Sequence, residues 1–391
     1  MSYDLAVYAP RSVQGAELRA LVSGMTGLDV GDHDDKKSWF TVIRGAKGRY
    51  CFTIDGPFRV DPEDVPAQVT GVLLAASHVY NITVEGSAAA DIPHAVRFAR
   101  RIAQDLDGAV VDQQTDTVWS KGTSRVAAKP ERNERVSVVA LDWYSSKAEL
   151  DPDFGAVWVA QCRHLFPEAL PRRFGEFEPL QHKLAEVGDE GFARAWIQAT
   201  STLFFAATNP CIGGAMGAGP NEKRPRLLWH MSLNLHRLPV MDPRWREALR
   251  RLFVATAQHL HAFYASAQVT REHIWSGRGL WSDGKTEWAV SPARVNGWMG
   301  LPPYPVWWAW YGPEYRDLVA GHLVQGEKVD HPEGIFHGLS SEPHDRDGLA
   351  EVLNQHSQWV PSELVVTVLR NDGRVLPVPI RVATRIPERL A

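Results

Sequence analysis

The chain has few of the residues and runs on which several protein classes depend. It contains three cysteines in 391 residues, Cys51, Cys162 and Cys211. An odd and widely spaced set fits neither a disulfide framework nor a cysteine-based zinc site, so we predict reduced, buried thiols. No run approaches the roughly 18 apolar residues that a membrane-spanning helix needs, so we expect a soluble protein that does not contact a membrane.

The chain also lacks a strong excess of either charge. Its formal net charge is -4 and its pI about 6.4. Because nucleic-acid-binding domains usually carry a basic patch or a high pI, we do not expect a nucleic-acid partner. The N-terminus shows no basic stretch before an apolar run, which argues against a secretory signal. Together with the reduced thiols, this predicts a cytoplasmic protein.

Metal and cofactor motifs are missing as well. Neither H-E-x-x-H nor a calcium-loop pattern occurs, and His259 and His261 stand too close on a predicted helix to face one ion together. Residues 279–286 fit the phosphate-loop formula G-x-x-x-x-G-K-[ST], in which Lys285 would contact the phosphates of a bound nucleotide. Asp283 would repel that phosphate and Pro292 falls where the helix should run, so we predict a hairpin turn at Asp283 and Gly284. The sequence therefore predicts no metal and no cofactor.

Alternating strand and helix patterns predict an α+β protein. Strands are predicted at 3–9, 38–44, 49–54, 78–85 and 109–111, and helices at 16–22 and 92–106. This order is typical of a ferredoxin-like α/β sandwich over residues 1–120. The polar residues 121–135 are predicted to be a linker, followed by a larger α+β domain over 136–391 with a mixed or antiparallel sheet.

Within that larger region, strands are predicted at 136–141, 202–207, 227–236, 268–275, 333–338 and 363–369, with helices at 245–263, 313–323 and 346–356. Asp-Pro pairs at Asp61, Asp151 and Asp242 resemble N-caps followed by a proline in the first helical turn. The glycine-rich residues 213–220 are predicted to connect two strands flexibly.

One predicted strand alternates strictly between polar and apolar residues. Period two places His230, Ser232 and His236 on a single face. With Arg173, these side chains are candidates for acid–base chemistry in an enzyme acting on a phosphate or nucleotide, because histidine titrates near neutrality. The alternative interpretation is an ordinary solvated strand face.

The chain is rich in tryptophan, with fifteen. Trp307, Trp308, Trp310 and Tyr311 form its densest aromatic group. Because Trp and Tyr are enriched in binding hot spots, we predict a binding patch at these four residues.

Three stretches carry a family resemblance: residues 171–180, the alternating strand 229–236, and residues 297–315 with their Gly, Pro and aromatic positions. Together, over about residues 137–340, they resemble immunity proteins of bacterial polymorphic-toxin and type VI secretion systems, nearest to the immunity protein 52 group. The resemblance implies an α+β module that binds a cognate toxin and neutralises it, a task that requires no catalytic residue. The sequence thus favours a bacterial immunity-type binder over an enzyme; a scaffold that pairs with itself is a third hypothesis.

Overall fold

The structure is a computed structural model of the 391-residue chain. It describes residues 2–13, 15–31, 38–73, 75–115, 117–120, 123–126, 134–219, 228–276, 279–294, 297–298, 300–302, 306–353, 365–367 and 380–382. Two compact units divide the chain, unit 1 at Met1–Glu131 and unit 2 at Arg132–Ala391. Both are built from helices and antiparallel sheets, which confirms the predicted α+β class.

The described residues of unit 1 form an antiparallel sheet with three helices. Its strands are β1 (Tyr3–Ala9), β2 (Leu28–Val30), β3 (Trp39–Arg44), β4 (Arg49–Arg59), β5 (His78–Val84), β6 (Ala109–Asp112), β7 (Thr117–Ser120) and β8 (Thr123–Val126). Its helices are α1 (Gly15–Ser23), α2 (Ala67–Thr70) and α3 (Ile92–Asp105). The eight strands have the order β2-β3-β4-β5-β1-β6-β7-β8.

The helical pattern at 92–106 forms α3 because its apolar residues recur at three- and four-residue spacing. Phe98, Ala99 and Ile102 are buried against the sheet. The five strands predicted in this unit are confirmed. Strands β2, β3, β7 and β8 extend the sheet beyond the four central strands β4-β5-β1-β6, so the ferredoxin-like assignment stays a prediction. Strand β8 lies inside the segment 121–135 that we predict as a linker, and it pairs with β7.

Unit 2 contains a larger antiparallel sheet. Its strands are β9 (Glu134–Ser146), β10 (Arg173–Gly175), β11 (His182–Lys183), β12 (Leu203–Ala206), β13 (Cys211–Met216), β14 (Leu228–His236), β15 (Tyr264–Trp275), β16 (Leu280–Trp281), β17 (Ala293–Arg294), β18 (Gly297–Trp298), β19 (Trp308–Tyr311), β20 (Glu327–His331), β21 (Gly334–Gly338), β22 (Val365–Thr367) and β23 (Ile380–Val382). Its helices are α4 (Phe154–Leu165), α5 (Leu184–Gln198), α6 (Arg237–Val240), α7 (Pro243–His259), α8 (Pro313–Val319) and α9 (Arg346–Val352).

Eleven of these strands form one sheet in the order β11-β10-β12-β13-β14-β9-β15-β19-β21-β20, with β16 paired to β15. Strands β17 and β18, and β22 and β23, form separate pairs. Every pairing in the large sheet is antiparallel. Of the two predicted alternatives, a mixed or an antiparallel sheet, the structure therefore has the second. Helices α4, α5 and α7 contribute to the core on one side of this sheet, where Trp143, Trp158 and Trp196 are fully buried.

The Asp-Pro pairs have different outcomes. Asp242 caps α7 as predicted, because its carboxylate accepts a hydrogen bond from the backbone N–H of Arg244 at 2.9 Å. Asp151 does not cap α4, whose N-cap is Asp153. Asp61 precedes only a three-residue 3-10 helix.

The glycine-rich segment is corrected by the structure. Residues 213–216 belong to β13, between β12 and β14, rather than to a flexible connection. A Cβ on Gly214 would stand 2.0 Å from the carbonyl oxygen of Ser232 on the neighbouring strand. Glycine therefore lets the two strands approach closely at this point.

Candidate functional site

The alternating strand is confirmed as β14. Its apolar side chains Trp229, Met231, Leu233 and Leu235 are buried in the helix-covered core. His230, Ser232 and His236 are at least partly accessible and lie on the opposite face of the sheet, as period two predicts.

The two strands beside β14 extend this opposite face. Phe204 on β12 stands across from Ala215 on β13, and Ala215 stands across from Ser232. In the next row Ala206, Gly213 and Asn234 are aligned in the same way. We name as the open face the residues Phe204, Ala206, Ala215, His230, Ser232 and Asn234. Its floor is made of small and polar side chains, and Phe204 is 43% exposed on it.

The same face of the sheet is covered over β9, β15 and β19. Gln268 on β15 donates to the carbonyl of Val290 at 3.1 Å and accepts from its N–H at 3.0 Å. Tyr144 on β9 is hydrogen-bonded to Ser291. Residues 286–292, the covering segment, therefore pack over β9 and β15, whereas Leu301 and α8 pack over β19. Burial raises the pKa of Tyr144 well above its ordinary value.

A histidine–aspartate pair marks the boundary between the covered and open halves. His230 Nε2 donates to Asp142 Oδ1 at 2.8 Å, and the His230 ring stacks on Tyr144 with centroids 4.7 Å apart. The His230 side chain is 44% exposed and that of Asp142 is 12% exposed. Because the carboxylate orients the imidazole, this pair has the arrangement of a general base with its orienting acid. In the described part of the chain, however, no hydrogen bond joins Ser232 to His230, so a nucleophile is not engaged.

Arg173 lies on the same face, but two strands, β12 and β13, separate its strand from that of His230. It is 6% exposed, and its Nη2 donates to the carbonyl of Leu180 at 3.1 Å. Burial raises the pKa of Glu178, and the charge of Arg173 opposes that rise. Arg173 therefore holds the loop after β10 in place.

His236 ends the polar row. Its ring packs edge-on against Trp275 with centroids 4.7 Å apart, and burial lowers its pKa. The four candidate catalytic residues thus share a face, but the structure places Arg173 and His236 in separate packing environments rather than around His230.

The predicted aromatic patch is corrected. Trp307, Trp308, Trp310 and Tyr311 are 0%, 5%, 0% and 2% exposed. The strand β19 that holds three of them lies between β15 and β21, so its neighbours on both sides and the layers on both faces exclude solvent.

The indole groups of this cluster are also satisfied internally. Trp310 Nε1 donates to the carbonyl of Ala262 at 3.0 Å, and Trp307 Nε1 donates to that of Ser340 at 3.1 Å. In the folded chain these side chains stabilise the core and do not reach a partner.

Sequence reasoning missed Phe204. It lies in the apolar run Leu203, Phe204 and Phe205, where strand alternation puts the first and third residues in the core and the middle one on the open face. The available clue was strand alternation: if Leu203 and Phe205 face the core, the apolar Phe204 between them must face the other side.

The phosphate-loop formula is not realised as a phosphate site. Asp283 accepts a hydrogen bond from the N–H of Lys285 at 2.9 Å and pairs with Arg135 at 2.6 Å, and Arg135 lowers the pKa of Asp283 to about 2. The predicted turn at Asp283 and Gly284 is present, but the described residues 279–292 contain no helix after it. The residues 286–290 that we predict as the second hairpin strand form no strand.

Among the described residues, no group of three or more His, Cys, Asp or Glu side chains is arranged to hold a metal ion. No described helix combines the length and apolar character needed to cross a membrane.

No protein-family model matches the chain, and no curated protein matches it. Among solved structures, the chain is similar to the Pseudomonas aeruginosa T6SS protein PA0821, with 12% sequence identity and a TM-score of 0.39. The likeness covers 60% of this chain and 79% of that protein.

Proposed function

We propose that this chain is an immunity-type protein that binds a cognate bacterial toxin and neutralises it, and that the open face of unit 2 contacts the toxin. The sequence resemblance of residues 137–340 to immunity proteins supports the class of function. The observation that carries the location is the patch of partly accessible residues on β12, β13 and β14. The opposite face of the sheet packs on helices, and the covering segment packs over β9 and β15.

The chemistry of the open face suits a protein partner. Phe204 offers an aromatic anchor that is already more than half buried, so less conformational freedom is lost when a partner covers the rest. Ala206 and Ala215 leave room for side chains of the partner. Around them, His230 and Asn234 offer polar groups that fix orientation.

The proposal is tested with the product of the gene adjacent to the one encoding this chain. Co-expression should restore growth to cells that produce that toxin, and the two proteins should co-purify. Phe204→Glu should abolish both effects, because it places a charge at the anchor. Trp39→Glu is the matched control, since Trp39 is 41% exposed on unit 1. Full rescue by the Phe204→Glu protein would exclude the open face as the contact, and failure of the wild-type chain to rescue would exclude the function for that toxin.

A second candidate function rests on the His230–Asp142 pair, whose 2.8 Å hydrogen bond and half-exposed imidazole suit a general base in a phosphate- or nucleotide-acting enzyme. A thermal-shift screen with nucleotides and phosphate esters tests it, because a ligand at 100 times its Kd stabilises the folded state by about 2.7 kcal/mol. A hydrolase of this kind should lose its activity in His230→Gln. A flat screen, with no turnover of p-nitrophenyl phosphate, would leave the binder as the single supported function.

A further inference from the structure

Unit 1 carries a groove that the proposed toxin contact does not use. It lies between α1 and α3, has a volume of about 880 Å³, and is a size that ligand or partner elements occupy. Its floor is apolar: Leu21, Met25, Ile92 and Val96 line it, and each is only half-buried against the core of unit 1. Exposed residues such as Ala20 and Gln104 also line the groove, so it is open to solvent along its length.

Arginine side chains from α3 line the same groove. Arg97, Arg100 and Arg101 are all exposed. Arg101 pairs with Asp105 at 2.9 Å, whereas the guanidinium of Arg100 lies 4.4 Å over the ring of Trp119.

Arg97 forms no hydrogen bond or ion pair within the described residues. Although the chain has a formal net charge of -4, the three arginines make the groove locally positive. The guanidinium groups of Arg97 and Arg100 are available to a carboxylate of a partner.

We propose that this groove binds an acidic amphipathic helix of a protein partner. An apolar floor between α1 and α3 takes the apolar stripe of a helix, and the arginines of α3 take acidic residues beside that stripe. Helix α3 has 14 residues and is about 21 Å long, so it can flank about four turns of a bound helix. The open groove favours a helix over a fatty acid, because an acyl chain is bound most strongly where it is enclosed on all sides.

Three synthetic 18-residue helical peptides provide the test. They share one apolar stripe of leucines and differ on the flanks of that stripe, which carry glutamate, glutamine or lysine. Binding to the full chain is measured by fluorescence anisotropy. Methyl-labelled methionine spectra locate it, since the chain has six methionines and Met25 lies in the groove. The Met25 signal is assigned from Met25→Leu.

We expect affinity in the order glutamate, glutamine, lysine, and a shift of the Met25 methyl signal on binding of the glutamate peptide. Arg97→Glu with Arg100→Glu should weaken that peptide at least tenfold, whereas Arg59→Glu, an exposed arginine on β4, should leave it unchanged. The affinity should fall as salt is raised.

Equal affinity for the three peptides, or an unmoved Met25 signal, would overturn the proposal. The proposal would also be overturned if palmitate displaced the glutamate peptide from the groove and if Arg97→Glu with Arg100→Glu did not weaken binding of that peptide. If the double variant does not fold, the peptide order and the Met25 shift in the wild-type chain still decide the question. None of these outcomes depends on whether unit 2 binds a toxin.

Discussion

Replacing Phe204 by alanine should weaken toxin binding by about 30-fold. A buried phenylalanine covers about 150–250 Å² of surface. With 43% of Phe204 exposed, about 90 Å² is free for a partner to cover. At about 25 cal/mol per Å², that area corresponds to about 2 kcal/mol, and each 1.4 kcal/mol changes Kd tenfold.

Isothermal titration calorimetry with the toxin and the two purified proteins measures this change directly. Trp39→Ala, a similarly exposed aromatic residue of unit 1, should bind like the wild type. Urea unfolding of the free Phe204→Ala protein separates lost contact from lost fold. A change in Kd below about threefold in a stable variant would refute the reasoning, because a central anchor cannot be removed at so small a cost.

Three further outcomes follow from burial in unit 2 and in both cores. Trp310→Phe should lower the free energy of unfolding of unit 2 by at least about 2 kcal/mol in urea titrations, because it leaves the carbonyl of Ala262 without its donor and creates a cavity. The control Trp281→Phe, at a side chain that is 65% exposed, should change this free energy by less than about 0.5 kcal/mol. Burial lowers the pKa of His337, which hydrogen-bonds the carbonyl of Gln325 at 2.7 Å, so the unfolded chain takes up a proton first as pH falls below about 6.5. Stability present above pH 6.5 should therefore be lost between pH 6.5 and the lower folded-state pKa, with a smaller loss in His337→Gln; equal slopes in the two proteins would contradict this. Burial raises the pKa of all three cysteine thiols, so a disulfide reagent at pH 8 should label none in the folded chain and all three in urea, and labelling before unfolding would show that the cores are open.

The sequence predicted the elements whose pattern is local. Strand β14 alternates with period two, and α7 has both an N-cap at Asp242 and an apolar face. In each case the residues that decide the structure are neighbours in the chain. The α+β class and most strand positions follow from the same local information.

Burial of β19 could not be predicted in this way. Trp308 and Trp310 face one packed layer and Ala309 and Tyr311 face the other, so a strand covered on both faces has no alternation to reveal its position. Four aromatic residues in five positions therefore resembled a surface patch, although they occupy an interior strand of the sheet.

The open face was missed for a related reason. Its residues come from β12, β13 and β14, and the glycines that bring these strands together indicated a loop instead of a strand. Phe204 becomes a candidate contact only once the pairing of three strands groups it with the partly accessible residues of β13 and β14. Long-range pairing, which no local pattern encodes, decided both outcomes.

Site-specific photo-crosslinking tests most directly whether the open face contacts the toxin. A benzophenone amino acid placed at Ser232, on the open face, should crosslink to the toxin encoded by the adjacent gene. The same group placed at Glu247, an exposed position on α7 on the opposite side of the sheet, should not. Crosslinking from Glu247 and none from Ser232 would contradict the account.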